Sequence, residues 1–206
     1  MTLNIAIYVF DGVEALDFAG PYEVFTTAAR MHARNAPAEP PAFNVFTIGR
    51  TPRPVLARAG LKIEPDHAMD DHPRIDCLVV PGGVVAGEME KPDVIAWIAQ
   101  RAPATRITAS VCTGAFLLAR AGLLEGLTVT THWEDIADLK ASFPSLNVIE
   151  GPRWADQGRL VTSAGISAGI DMSLHLVQRL HSRALAERTA RQMDFDWLDN
   201  GYAAED

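Results

Sequence analysis

The stretch RITASVCTGAFLLARAGLL (106–124) places a thiol, Cys112, where a strand-like apolar run gives way to a helical pattern. A side chain held in such a strand-to-helix turn projects from the sheet edge, the geometry of a nucleophile elbow. The start of a helix also presents unpaired N–H groups and the positive end of its dipole, which favour thiolate over thiol. The competing reading is structural, because free cysteine is among the most buried residue types and a small residue can simply end a strand. Placement alone tips the balance towards a reactive thiol.

Other residues could serve such a nucleophile. Gly82 and Gly83 follow the run DCLVVP (76–81); a Pro-Gly-Gly loop there can aim a backbone N–H at the thiol, and with the N–H of Thr113 it would form an oxyanion hole. An ordinary turn explains the two glycines equally well. Asp17, in EALDFAGPYEVF (14–25), reads either as part of a helix N-cap region or as a buried carboxyl beside Cys112 that moves a proton. Glu14 and Glu23 are its rivals, with Glu23 expected to face solvent. His132, after TVTT (128–131), is a candidate general base or a structural histidine at a strand end. Cys77 reads as core, His175 and His181 as packing or surface residues, and Asp171 as a helix cap or the answer to a core neighbour. Trp133 and Trp154 are candidates for apolar pocket lining, with a core role expected for each.

The elements needed to position these residues alternate along the chain. Strands are expected over 4–10, 43–49, 76–81, 105–111, 128–131, 147–151 and 158–165, with a hairpin over 54–66 turning at Ala59-Gly60. Helices are expected over 21–35, opened by Pro21, and over 91–102, 113–122, 133–143, 165–181 and 183–194. Loops 36–42, 84–90 and 151–158 are left as candidate pocket walls. This alternation predicts one α/β domain spanning 1–206, with a mostly parallel sheet between helix layers. Ligands of such sheets bind outside the carboxyl ends of the strands. Asp17, Gly82-Gly83 and Cys112 each follow such an end, and their convergence says more than any one of them.

Composition narrows the function. With 206 residues, 48% hydrophobic, the chain can bury a real core. A formal charge of −8, with arginines scattered along the chain, argues against nucleic acid as a partner. No run approaches a membrane span, and the start MTLNIAIYVF lacks the basic region of a signal peptide. Two cysteines make no disulfide framework and have no metal-ligand spacing around them, so a cytoplasmic protein without a cysteine-held metal is expected.

Four segments, YVFDGVEALDFAGPYEVF, CLVVPGG, SVCTGAFLLARAGLLEGLTVTTHW and VTSAGISAGIDMSLHLV, together resemble the ThiJ/PfpI superfamily over nearly the full length. The resemblance implies a flavodoxin-like, class I glutamine-amidotransferase-like sandwich and, in most members, a homodimer. It makes Cys112 the elbow nucleophile, Asp17 the acidic residue beside it, and the N–H groups of Gly83 and Thr113 the oxyanion hole. His132 falls where many members carry a histidine near the cysteine. Protease-like members place histidine directly after the cysteine; Thr113 stands there instead. Asp17 with Cys-Thr-Gly at 112–114 is most similar to the isocyanide hydratase-like members, in which the thiolate attacks the isocyanide carbon and the resulting thioimidate is hydrolysed to a formamide. The block around Cys112 also resembles the sensor domain of AraC-type regulators, although the ending RQMDFDWLDNGYAAED lacks both the proline-rich tail of the hydratases and a helix-turn-helix region. Three functions therefore stand side by side: an isocyanide hydratase, a glyoxalase or deglycase acting on α-oxoaldehydes, and a non-enzymatic ligand or redox sensor.

Overall fold

The computed structural model describes residues 1–203. In chain order its elements are β1 (Leu3–Val9), α1 (Ala15–Asn35), β2 (Phe43–Gly49), β3 (Val55–Leu56), β4 (Lys62–Ile63), β5 (His67–Ala68), β6 (Cys77–Val80), α2 (Ala86–Met89), α3 (Pro92–Arg101) and β7 (Ile107–Val111). They continue with α4 (Gly114–Arg120), β8 (Thr128–Val129), α5 (Ile136–Ser142), β9 (Asn147–Val148), β10 (Trp154–Gln157), β11 (Leu160–Ser163), α6 (Ala168–Leu180), α7 (Arg183–Gln192) and β12 (Tyr202–Ala203). Eight strands form the main sheet in the order β12-β10-β11-β7-β6-β1-β2-β5, parallel except for the β10–β11 pair. The chain moves from β1 outward to β2 and later crosses to β6 on the other side, which opens a switch point at the carboxyl edge.

The central strands are continuous apolar runs because helices cover both faces. Every residue of β6 and β7 is buried. Helices α1, α6 and α7 pack together as one layer, while α2, α3 and α4 pack together as the other. Tyr8, Phe10, Ile5, Ile7, Leu78 and Leu117 are among the largest fully buried side chains, so the core lies against the strands that carry the site.

Several expectations are corrected. Helix α1 starts at Ala15, six residues before Pro21, because Glu14 caps it by accepting from the Ala15 N–H at 3.2 Å. Pro21 lies inside the helix and forgoes a bond to the Asp17 carbonyl; burial of Phe18, Val24 and Phe25 on the same helix offsets that loss. The segment 151–158 is no loop, since it contains β10 paired to β11, and 84–90 contains α2. Strands β8 and β9 pair with each other outside the main sheet. Trp133 is 68% exposed, contrary to a core role, whereas Trp154 is buried and stacks on His175 with ring centroids 3.8 Å apart. Cys77 is buried and Glu23 exposed, as the sequence implies. The last three residues of the C-terminal stretch lie outside the described ones. Among the described residues, no helix is long and apolar enough to cross a membrane.

Candidate active site

Strands β6 and β7 run parallel in register, Val80 beside Ser110, so both chains leave the sheet together. That register sets the Pro81–Gly83 loop beside Cys112–Gly114. Cys112 itself has φ of 55°, a left-handed conformation costly for any residue with a side chain and a mark of an elbow. The glycine two residues on has a steric reason: a Cβ on Gly114 would drive into the carbonyl oxygen of Val80. A Cβ on Gly82 would meet Thr113 Oγ1 and N at 2.5 and 2.6 Å. The loop after β1 is tied to the same place by Glu14 N–H donating to Gly82 O and Val84 N–H donating to Gly12 O, each at 2.9 Å.

This knitting delivers Asp17, fully buried in the first turn of α1, to Cys112. The N–H of Gly82 donates to Asp17 Oδ2 at 3.1 Å. Oδ1 is buried and has no hydrogen-bond partner. Burial raises the pKa of Asp17 to about 7; the Gly82 N–H and hydrogen bonding with Cys112 pull it down, and the charge of Glu14 pushes it up. For Cys112, burial raises the pKa to about 12, the negative charge of Asp17 adds to the rise, and the backbone N–H groups of Thr113 and Ile166 lower it. The elbow's N–H groups thus act in the direction the sequence implies, but burial is larger. The repulsion disappears when Asp17 carries the proton, because a carboxylic acid then faces sulfur and favours thiolate. The two groups behave as one pair sharing protons.

Thr113 departs from expectation in a specific way. Its Oγ1 accepts from the Gly83 N–H at 2.9 Å and donates to the Gly83 carbonyl at 3.0 Å. The Gly83 N–H is therefore occupied, and the expected two-donor oxyanion hole is not open. For the same reason the Thr113 side chain makes no capping bond to α4, which begins at Gly114.

A cavity of about 80 Å³ lies over the thiol, lined by Glu14, Arg58, Gly83, Cys112, Thr113, His132, Glu134 and Ile166. His132 is thereby brought to the same cavity as Cys112; its Nδ1 accepts from the Glu134 N–H at 3.4 Å and lies 3.4 Å from Asp135 Oδ2. Thr131 Oγ1 donates to the Cys112 carbonyl at 2.8 Å and fixes the elbow from behind. None of loops 36–42, 84–90 and 151–158 lines this cavity. Arg58, Glu134 and Ile166 were missed. Ile166, with φ of 36°, follows the carboxyl end of β11, so the strand-end rule that found Cys112 could have found it. Arg58 has no local signal, because its position depends on how the hairpin docks.

Elsewhere the candidate polar residues have structural partners. Asp171 accepts from Arg153 Nε at 2.5 Å and from the Leu198 N–H at 2.8 Å. His175 Nε2 is 2.7 Å from Asp156 Oδ2, while His181 is exposed.

Known proteins are similar to this chain in sequence and fold. The isonitrile hydratase of Pseudomonas putida is 34% identical over 196 residues, covering 95% of this chain and 79% of that protein. The HTH-type transcriptional regulator GbdR of Pseudomonas aeruginosa is 30% identical over 197 residues, and those cover 96% of this chain but 52% of the regulator. A crystal structure of a THiJ/PfpI family protein from Pseudomonas syringae superposes with a TM-score of 0.83 at 27% identity, covering 95% of this chain and 76% of the other. Drosophila melanogaster DJ-1beta, with a TM-score of 0.79 at 18% identity over 96% of this chain and 100% of its own, shares the fold. The pattern of the DJ-1/PfpI family itself matches residues 3–179, and the chain belongs to that family.

Proposed function

We propose that the protein is a cysteine-dependent hydratase that converts isocyanides to N-substituted formamides. One observation carries the reading: Asp17, a fully buried carboxyl raised to about 7, faces a thiol held at a left-handed elbow. An isocyanide needs that combination. Attack by sulfur on its terminal carbon leaves an electron pair on the same carbon, which calls for an adjacent acid and not for an oxyanion hole. The occupied N–H of Gly83 is compatible with such a step.

In the mechanism we infer, the pair starts with one proton, on sulfur. Asp17 takes it, the thiolate forms a C–S bond to the isocyanide carbon, and Asp17 returns the proton to that carbon, giving a thioimidate. Water then adds to the C=N carbon. The nitrogen is protonated, the C–S bond breaks, and the oxygen loses its second proton, releasing formamide and restoring the thiol. The sum is isocyanide plus water to formamide, with no oxidant or cofactor. In this reading His132, which lines the same cavity, assists the water step. The reading includes a cytoplasmic enzyme acting as a homodimer, which light scattering would check.

Similarity to the Pseudomonas putida hydratase supports this reading. Similarity to GbdR over nearly the whole chain supports a second one, a small-molecule sensor on the same scaffold. The test is to incubate purified protein with phenyl isocyanide and follow N-phenylformamide, with methylglyoxal as the alternative substrate. Formamide formation supports the hydratase, lactate points to the oxoaldehyde enzymes, and saturable binding without product points to the sensor.

A further inference from the structure

The cavity over Cys112 has one cation in its wall. Arg58 rises from the β3–β4 hairpin, whose backbone is fastened to the loop after β1. Gly12 N–H donates to Leu56 O at 2.7 Å, Arg58 N–H to Val13 O at 2.9 Å, and Leu56 N–H to Asp11 Oδ1 at 2.8 Å. Because that same loop is tied to Gly82–Val84, the backbone beneath Arg58 is part of the frame that holds the elbow.

The charged groups around the cavity differ in how far they are engaged. Glu14 Oε1 caps α1, and its Oε2 lies 3.6 Å from Arg58 Nη1. Glu134 Oε2 lies 3.8 Å from His132 Nδ1 and is largely solvent-exposed. The guanidinium makes no hydrogen bond among the described residues, since its contact with Glu14 is longer than one. An arginine has five donors in a planar fork that matches a carboxylate. Here that fork is 64% exposed and paired only with Glu14, at a distance too long for a hydrogen bond, beside a small cavity that Cys112 also lines.

We propose that Arg58 is a specificity residue that binds a carboxylate carried by the substrate, so that the natural ligand is a short organic acid whose reacting carbon meets Cys112. The inference rests on the proposed thiol chemistry at Cys112 but not on which electrophile reacts. The small cavity places the acid group only a few bonds from the reacting carbon.

Iodoacetate and iodoacetamide test it, because they differ chiefly in a carboxylate against an amide. Both react alike: the thiolate forms an S–C bond as the C–I bond breaks and iodide leaves. The rate constants for alkylation of Cys112 are measured by peptide mass spectrometry in the wild type, Arg58→Gln and Arg58→Lys. The iodoacetate-to-iodoacetamide ratio is expected to fall about tenfold or more in Arg58→Gln, and less in Arg58→Lys, which keeps the charge without the fork. A ratio within about twofold of wild type in Arg58→Gln overturns the inference, and so does an equal loss of both rates, which marks a merely structural arginine. If neither reagent alkylates wild-type Cys112, the thiol reading fails and the inference with it. Brisk alkylation with an unchanged ratio sinks the inference alone.

Discussion

Cys77 and Cys112 are the two free cysteines of the chain, both buried, and burial pushes each to a pKa of about 12. Their surroundings are otherwise different. Cys77 opens β6, between Ile5 of β1 and Ile107 of β7, with no exposure at all. Cys112 is turned out of the sheet at φ 55°, opens onto a cavity, and has Asp17 against it. A high resting pKa therefore does not separate a structural thiol from a reactive one. Under the proposed mechanism, access and a partner that can take and return a proton do.

Two of the buried aspartates, Asp17 and Asp171, both without exposure, repeat the contrast. Burial raises both, but Asp171 is answered by the Arg153 guanidinium and the Leu198 N–H. Asp17 has one backbone donor and an oxygen without a conventional partner. Asp171 is held in a structural ion pair; in the proposed mechanism Asp17 stores a proton for sulfur.

The largest effect should come from exchanging the roles of the cysteines. Cys112→Ala is expected to abolish formamide formation, while Cys77→Ala keeps it and lowers stability by roughly 1 kcal/mol through the small cavity it leaves. Equal losses in both variants would erase the distinction. Next, Asp17→Asn should lower turnover about 10²–10⁴-fold, the usual range for a positioned proton donor, with the fold intact.

The pH profile sharpens the same point. Below about 7 the pair holds two protons and Asp17 cannot take the one on sulfur, so kcat/KM should rise as pH increases to about 7 and then level off. In Asp17→Asn that limb should vanish. Stability runs the other way. A carboxyl whose pKa is raised from 3.8 to about 7 on folding stabilises the fold at low pH, and that contribution is lost as pH climbs to about 7. Asp17→Asn should therefore raise Tm relative to wild type at pH 8 and have little effect near pH 4, measured by calorimetry. Asp171→Asn should instead cost roughly 1–3 kcal/mol at pH 8, because the partly buried Arg153 loses its counter-charge. A smaller effect is expected from Thr113→Val, which breaks the exchange with Gly83 and should reduce turnover by about tenfold or less.

Much of this was legible in the sequence because it rests on local pattern. The apolar runs of β1, β6 and β7 and the residues just beyond them located Asp17, Gly82 and Cys112, since parallel strands in register bring their ends together. Non-local packing was not legible. The start of α1 was obscured by Pro21, whose interior position is tolerated only because the helix is buried on both sides of it. The occupation of the Gly83 N–H by Thr113 is a contact across 30 residues. Arg58 reaches the cavity only through hairpin docking, and Trp133 looked like core because aromatic character says nothing about which way a strand end turns.

The most direct test of the central claim is rapid-quench mass spectrometry of the protein mixed with an aryl isocyanide. The account predicts a transient adduct on Cys112 equal to the mass of one isocyanide molecule, decaying as formamide appears, with none on Cys77. Formamide release with no adduct on Cys112 at any time, or with an adduct on Cys77, would contradict it.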